Sequence, residues 1–382
     1  SYDMHIFLLM LDGQYAPAAT AMNEALTRFP DTATQLTDLS VMGVVVLVMK
    51  SDPEQSQALL NRLQEAHWQP HNPAARPLVG LLRVEGLRKA LAAGDATHAA
   101  LYRADIEKDS LIYVVSQGDA ELSDGAVAPI DVAPVLAGEI RDTQAYVVNS
   151  PTELMVLQYL IMLERSGGQS SLALTQLNGI LDLADKYGIQ NFQNLDSYPG
   201  LLAARAELLT DIGRFAEVDK AYADGAARLT PLGQVDLNLS YMTYLTDRGN
   251  EAAALGLITK FVGVTLEPNQ QVPLASNLAC AYSYRGDEPH YAQLITVLAQ
   301  QPMMRIRPAL CAGDLEGAAA ALIEGMKDSR TDAIMFLQNG NTRLVLSERD
   351  RAYQARVAAL KARPDVIAAA QAAKINIRTW PL

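Results

Sequence analysis

Positive charge, cysteine, histidine and aromatic rings are all scarce in this chain. Its 382 residues carry 31 Lys and Arg against 43 Asp and Glu, a net charge of −12. A surface of that sign is repelled by phosphate backbones, which excludes nucleic acid as a general partner. The two cysteines, Cys280 and Cys311, have no metal-ligand spacing and suggest no disulfide framework, so they read as two packed thiols. No apolar run reaches the roughly 18 residues of a membrane span, and the longest, 41–49, stops well short. There is no signal-peptide pattern. The chain starts at Ser1 within what reads as a helix, as a trimmed or mature chain would, and cytoplasm and periplasm both stay open.

Catalytic signatures are missing as well. The sequence has no glycine-rich phosphate loop, no dinucleotide fingerprint and no serine nucleophile elbow, so no cofactor is expected. Five histidines are present. His67 and His71 have the four-residue spacing of a helical metal pair, but Pro70 ends any helix between them, and a loop is expected instead. His5 sits among apolar residues of the first helix, where packing is the expected role. Cys280 has no assured base beside it and reads as structural. The expectation is a protein that is not an enzyme.

What is plentiful is Ala and Leu, strong helix formers, within an apolar fraction of 49%. A short pattern recurs through the chain. Its cleanest copy starts at Gly13 and continues with Tyr15, Ala18, Met22, Ala25, Leu26 and Pro30. The glycine permits a tight turn between two helices. Ala18 and Ala25 lie on one helix face and let the paired helix approach, and Pro30 ends the element. Further copies centre on Pro53, Gly94, Gly168, Gly213, Gly249, Gly286 and Gly313. The stretch 277–286, with Asn277, Leu278, Ala281, Tyr282 and Gly286, completes the other half of the pattern.

These residues resemble the tetratricopeptide repeat (TPR), in which Gly, an aromatic, Ala, an aromatic, Ala and Pro follow in that order in the second helix. Met22 departs from it at the second aromatic position. The spacings between markers run from 27 to 45 residues, with one of 74 that looks like two units, so the repeats are irregular. The resemblance implies an all-α fold, a TPR-like solenoid of antiparallel helix pairs. It divides the chain into N-terminal repeats over 1–108, an irregular connector over 109–150, C-terminal repeats over 151–330 and a helical capping segment over 331–382. Within the connector, 111–115 has strand propensity, 117–128 reads as a mobile loop and 134–145 as a helix. Helices are expected over 332–338, 347–362 and 364–373. The tail from 341 carries Arg343, Arg349, Arg351, Arg356, Lys361, Arg363, Lys374 and Arg378, and is +5 on a body of −17. Its expected role is a polar cap with a solvated charged face.

In such arrays the first helix of each pair lines a concave groove. Counting back from each glycine, the resemblance implies a polar, acidic groove of Glu207, Asp211, Asp236, Ser240, Thr243, Asp247, Asn277, Ser283 and Tyr284. That lining suits a protein or peptide partner with basic or amide-rich segments. A clamp for acidic chaperone tails is not expected, because only Asn277 matches an Asn position of that clamp, and Ser240 and Ala204 stand at its equivalents. The alternative is a carrier for an apolar molecule such as a lipid, held between the arrays by Met155, Tyr159, Met162 and Arg165, since methionine-rich surfaces adapt to varied apolar shapes. Apolar residues Met4, Phe7, Met10, Leu11, Leu39, Met42, Val46 and Met49 on the first two pairs read as core or as such a groove. A third reading is the regulatory half of a larger protein cut at Ser1.

Overall fold

The computed structural model describes residues 2–122, 132–338 and 345–377. Arg343, Arg378, the side chain of Met49 and the part of the expected loop over 123–128 lie outside the described residues. Every regular element among the described residues is helical. The chain divides into two compact units, Ser1–Tyr146 and Val147–Leu382.

The first unit contains α1 (Tyr2–Leu11), α2 (Tyr15–Arg28), α3 (Asp38–Ser51), α4 (Pro53–Glu65), α5 (Arg76–Ala92), α6 (Ala96–Ile106), α7 (Ser110–Gly118) and most of α8 (Val132–Asn149). The second contains α9 (Leu154–Ser166), α10 (Ser170–Tyr187), α11 (Tyr198–Asp211), α12 (Phe215–Ala227), α13 (Gln234–Asp247), α14 (Glu251–Gly256), α15 (Pro268–Tyr284), α16 (Glu288–Val297), α17 (Pro302–Ala312), α18 (Leu315–Asp328), α19 (Arg330–Gln338), α20 (Glu348–Lys361) and α21 (Pro364–Ala372).

One turn chemistry is used seven times. Gly13, Gly94, Gly168, Gly213, Gly249, Gly286 and Gly313 all have φ between 68° and 78° or, at Gly249, 80°. At Gly213 the amide donates to Thr210 O (3.1 Å) and the next amide, of Arg214, reaches back to Leu209 O (2.8 Å). Gly249 and Asn250 repeat this on Thr246 and Leu245. The left-handed residue closes the first helix and satisfies its last carbonyls, and glycine adopts that conformation without a Cβ clash. An acid or amide then caps the second helix in several pairs: Asp95, Asn250, Asp287 and Asp314 each accept an amide through the side chain. The marker without glycine, Pro53, follows Asp52, which caps α4 in the same way.

Paired helices pack through small residues. Ala18, Ala173, Ala206, Ala221 and Ala318 are buried, and in the second unit Leu201, Leu208 and Leu237, which share a core with Ala173, Ala206 and Ala221, are almost wholly removed from water. Each such leucine stabilises the fold by about 1.5–3 kcal/mol. In the second unit the first helices α9, α11, α13, α15 and α17 also pack on one another in that order. This row of neighbours positions the site described below.

Two expectations are corrected. The stretch 111–115 is not a strand but the middle of α7. Asp109 Oδ1 accepts the amide of Ile112 (2.9 Å) at its start, and Ile112, Val114 and Val115 are buried with α7 packed on α5. A cap and burial on one face override β propensity. The helix runs on to Gly118, so the beginning of the expected loop is helical too. The second correction concerns Cys280 and Cys311, which are not two thiols but one disulfide. Their Cα atoms are 5.3 Å apart because α15 and α17 lie side by side. At the C-terminus, helices form where expected, and Ser347 opens α20 with a reciprocal cap: its hydroxyl accepts the Asp350 amide and its own amide donates to Asp350 Oδ2, both at 3.0 Å.

Candidate functional site

The last turns of α9, α11 and α13 bring polar side chains together because each faces the next helix of the row. Arg165, near the end of α9, points at α11. Its Nε and Nη2 donate to the two oxygens of Asp211 at 2.6 and 3.2 Å, and its Nη1 pairs with Glu207 one turn earlier. Asp211 is fully buried. Burial disfavours the Arg165 charge, but Glu207 and Asp211 outweigh it and hold its pKa above the ordinary value. Ser240 Oγ, on α13, donates to Glu207 Oε1 (3.0 Å) and lies 2.9 Å from the Tyr222 hydroxyl. Burial first, and then the nearby Glu207, push the Tyr222 phenol well above its usual range, so it stays protonated.

A second clamp lies further along the row. Asn277 Oδ1 accepts from Thr243 Oγ1 (3.0 Å) and from Arg307, while its amide donates to Leu239 O (3.2 Å). Arg307 Nη2, on α17, also donates to Asp247 Oδ1 (2.8 Å). Between the clamps lies a partly open cavity of about 180 Å³. Its walls are Arg165, Glu207, Thr210 and Asp211, then Tyr222, Ser240, Thr243, Tyr244, Asp247 and Arg248, with Asp350 from α20 on one side. That is smaller than the roughly 300–1,000 Å³ of ordinary small-molecule sites, and far more polar. Tyr222, Tyr241 and Tyr244 stack beside it, with Tyr222 and Tyr241 centroids 4.4 Å apart.

Of the expected groove residues, Glu207, Asp211, Ser240, Thr243 and Asp247 line this cavity, and Asn277 holds its far wall. Asp236 lies away from it, exposed at the start of α13, where it accepts from Gln270 Nε2 (3.1 Å). Ser283 turns its hydroxyl onto its own helix at Cys280 O (2.8 Å). Tyr284 is half-buried beneath Arg349. Of the four residues assigned to an apolar ligand, only Arg165 reaches the cavity. Tyr159 is buried, Met155 half-buried and Met162 exposed. On α1 and α3, Met4, Leu11 and Leu39 are exposed and Met42 half-buried.

Counting back along first helices missed Tyr222, Tyr244, Arg248, Arg307 and Asp350. Tyr222 belongs to a second helix, and Asp350 arrives from more than 100 residues away. The tail is also corrected: it is not simply a solvated face. Val345 donates its amide to Asp211 O (3.2 Å), Ser347 Oγ to Asp247 O (3.4 Å), and Arg356 Nη1 to Leu310 O (2.7 Å) and Cys311 O (3.0 Å). The tail therefore runs along the carbonyl ends of α11, α13 and α17. Basic groups are favoured there by the helix dipole and the open carbonyls.

The histidines stay outside this site. His71 follows α4 in a turn and contacts Asp38 Oδ1 (3.2 Å) and Thr34 O (2.7 Å), while His67 has φ 51°. Among the described residues no three His, Cys, Asp or Glu side chains converge to hold a metal ion, and no helix is long and apolar enough to cross a membrane. Neither a scan against protein-family models nor a search of curated proteins finds a match to the chain.

Proposed function

We propose that the chain is a non-enzymatic interaction module, a TPR-like α-solenoid that binds an extended basic segment of a protein along the polar face of its second unit. The observation that carries the reading is the small polar cavity between α9, α11 and α13, lined by the carboxylates of Glu207, Asp211, Asp247 and Asp350 and flanked by stacked tyrosine rings. A cavity rich in carboxylates suits a cationic group from outside, and the tyrosine rings offer it faces. The side-by-side order of α9, α11, α13, α15 and α17, and the seven glycine turns, support the solenoid reading.

The test is a titration of the purified chain with a panel of Lys- and Arg-bearing decapeptides and their acetyl-lysine and citrulline counterparts. At least one basic peptide is expected to bind at micromolar Kd or tighter. Ser240→Lys, which places a cation in the cavity, should weaken it by tenfold or more while the far-UV spectrum is unchanged. Equal binding of basic and neutralised peptides would refute the reading. The buried Cys280–Cys311 bond further favours an oxidising compartment as the place of work, since such bonds persist there.

A further inference from the structure

One contact of the tail has the form of a bound ligand. The Arg349 guanidinium lies over the Tyr284 ring, with its Cζ 4.1 Å from the centroid. Its Nη1 donates to Thr246 O at 3.0 Å, a carbonyl in the last turn of α13 that also accepts the Gly249 amide (3.1 Å), and pairs with Glu251, the first residue of α14. An aromatic face, a carbonyl at a helix end and a carboxylate thus enclose one planar cation on three sides. The walls are separate from the arginine in sequence: Tyr284, Thr246 and Glu251, from α15, α13 and α14, lie within 38 residues of one another and 65–103 residues before Arg349. Gly249 forms its floor, where a Cβ would stand 3.4 Å from the guanidinium. Tyr284 is pushed above the usual phenol range by burial and then by Asp247, so the ring stays neutral.

We propose that Tyr284, the Thr246 carbonyl and Glu251 form a guanidinium-binding site that Arg349 fills in cis and that an arginine of the basic partner fills in trans. The proposal deepens the reading of the second unit as a binder of basic segments and rests on it for the identity of the trans ligand. The cavity walled by Asp350 lies one residue along the tail from Arg349. An arriving segment that seats one cation in the cavity therefore meets Arg349 as its competitor for the next. Arginine is favoured over lysine because a planar guanidinium can stack on the ring while its Nη1 reaches both the carbonyl and the carboxylate.

The experiment uses the full chain and N-acetyl-arginine amide as probe, with N-acetyl-citrulline amide as the neutral isostere. Arg349→Ala vacates the site. A site filled in cis about nine-tenths of the time is masked about tenfold, so the variant should bind the arginine probe at least about tenfold more tightly than the parent chain, and the citrulline probe not at all. Adding Tyr284→Leu or Glu251→Gln to Arg349→Ala should abolish the gain. Arg349→Lys, which keeps the charge and the fold but not the stacking fork, should show a gain between parent and Arg349→Ala. Equal binding by parent and both Arg349 variants overturns the proposal, as does a gain that survives loss of Tyr284 and Glu251. The Ser240→Lys titration reports on the cavity alone. If decapeptides respond to Ser240→Lys while the arginine probe ignores Arg349, this inference falls and the groove reading stands. If no basic decapeptide binds but Arg349→Ala gains the probe, the site stands and the groove reading falls.

Discussion

Single glycines separate two physical effects in this protein. Gly13 has φ +70° and nothing within 4 Å of where a Cβ would be, so Gly13→Ala changes only backbone strain. It should cost about 1 kcal/mol. Gly179 lies inside α10 and also has open space at its Cβ position. Gly179→Ala should therefore stabilise by about 0.5–1 kcal/mol, through helix propensity and a less flexible unfolded chain. Urea denaturation of the two variants checks both signs. His98 supplies a second residue-level test. It lies between Asp95 Oδ2 (2.6 Å) and Glu65 Oε1 (3.0 Å), and its pKa is raised, chiefly by the Asp95 hydrogen bond against the cost of burial. A raised histidine contributes stability that is complete below its ordinary value of 6.5 and is lost as pH climbs through the higher folded value. Melting temperature should fall across that window in the parent chain, and less steeply in His98→Gln. Parallel pH profiles would refute the assignment.

At the scale of elements, the α15–α17 pair is held covalently as well as by packing. The Cys280–Cys311 bond closes a loop with a sequence separation of 31, and removing such a constraint costs about 3–4 kcal/mol in the chain-entropy model. Replacing both cysteines with alanine should lower denaturation midpoints accordingly, and hydrogen exchange should rise in α15 and α17 while α1 to α7 are unchanged. Both cysteines are buried, so reductant should act only as fast as the helices open. The elements also show what a sequence can disclose. The glycine turns were readable because they are local: a left-handed residue and a cap a few positions on leave a fixed trace. The Ser347–Asp350 cap of α20 is equally local. The cavity residues Glu207, Asp211, Ser240, Thr243 and Asp247 were reachable by counting from those turns. The disulfide, Arg307 on Asp247 and Asp350 at the cavity were not, because each depends on which helices become neighbours. The β-branched run at α7 misled because its burial against α5 outweighs its local preference.

For the whole molecule, the net charge of −12 sets the approach of a basic partner. Long-range attraction is screened beyond about 10 Å at 0.1 M salt. Association rates with a basic peptide should fall roughly tenfold or more between 20 and 500 mM salt, whereas dissociation should change little. Stopped-flow measurement of both rates decides the matter, and a salt-independent association rate would argue against an electrostatically guided partner.

The tail that touches Asp211, Asp247 and Leu310 is made after the helices it covers. Domains emerge from synthesis N-terminal end first, at about 5–20 residues per second. For about 1–4 seconds, then, α9 to α18 have been made and Arg349 and Asp350 have not, leaving Tyr284 and Glu251 without the arginine that covers them. During that interval the protein is open to a cationic segment that the finished chain admits only in competition with its own arginine, so a partner engaged during translation and one met afterwards would encounter different affinities on the same surface.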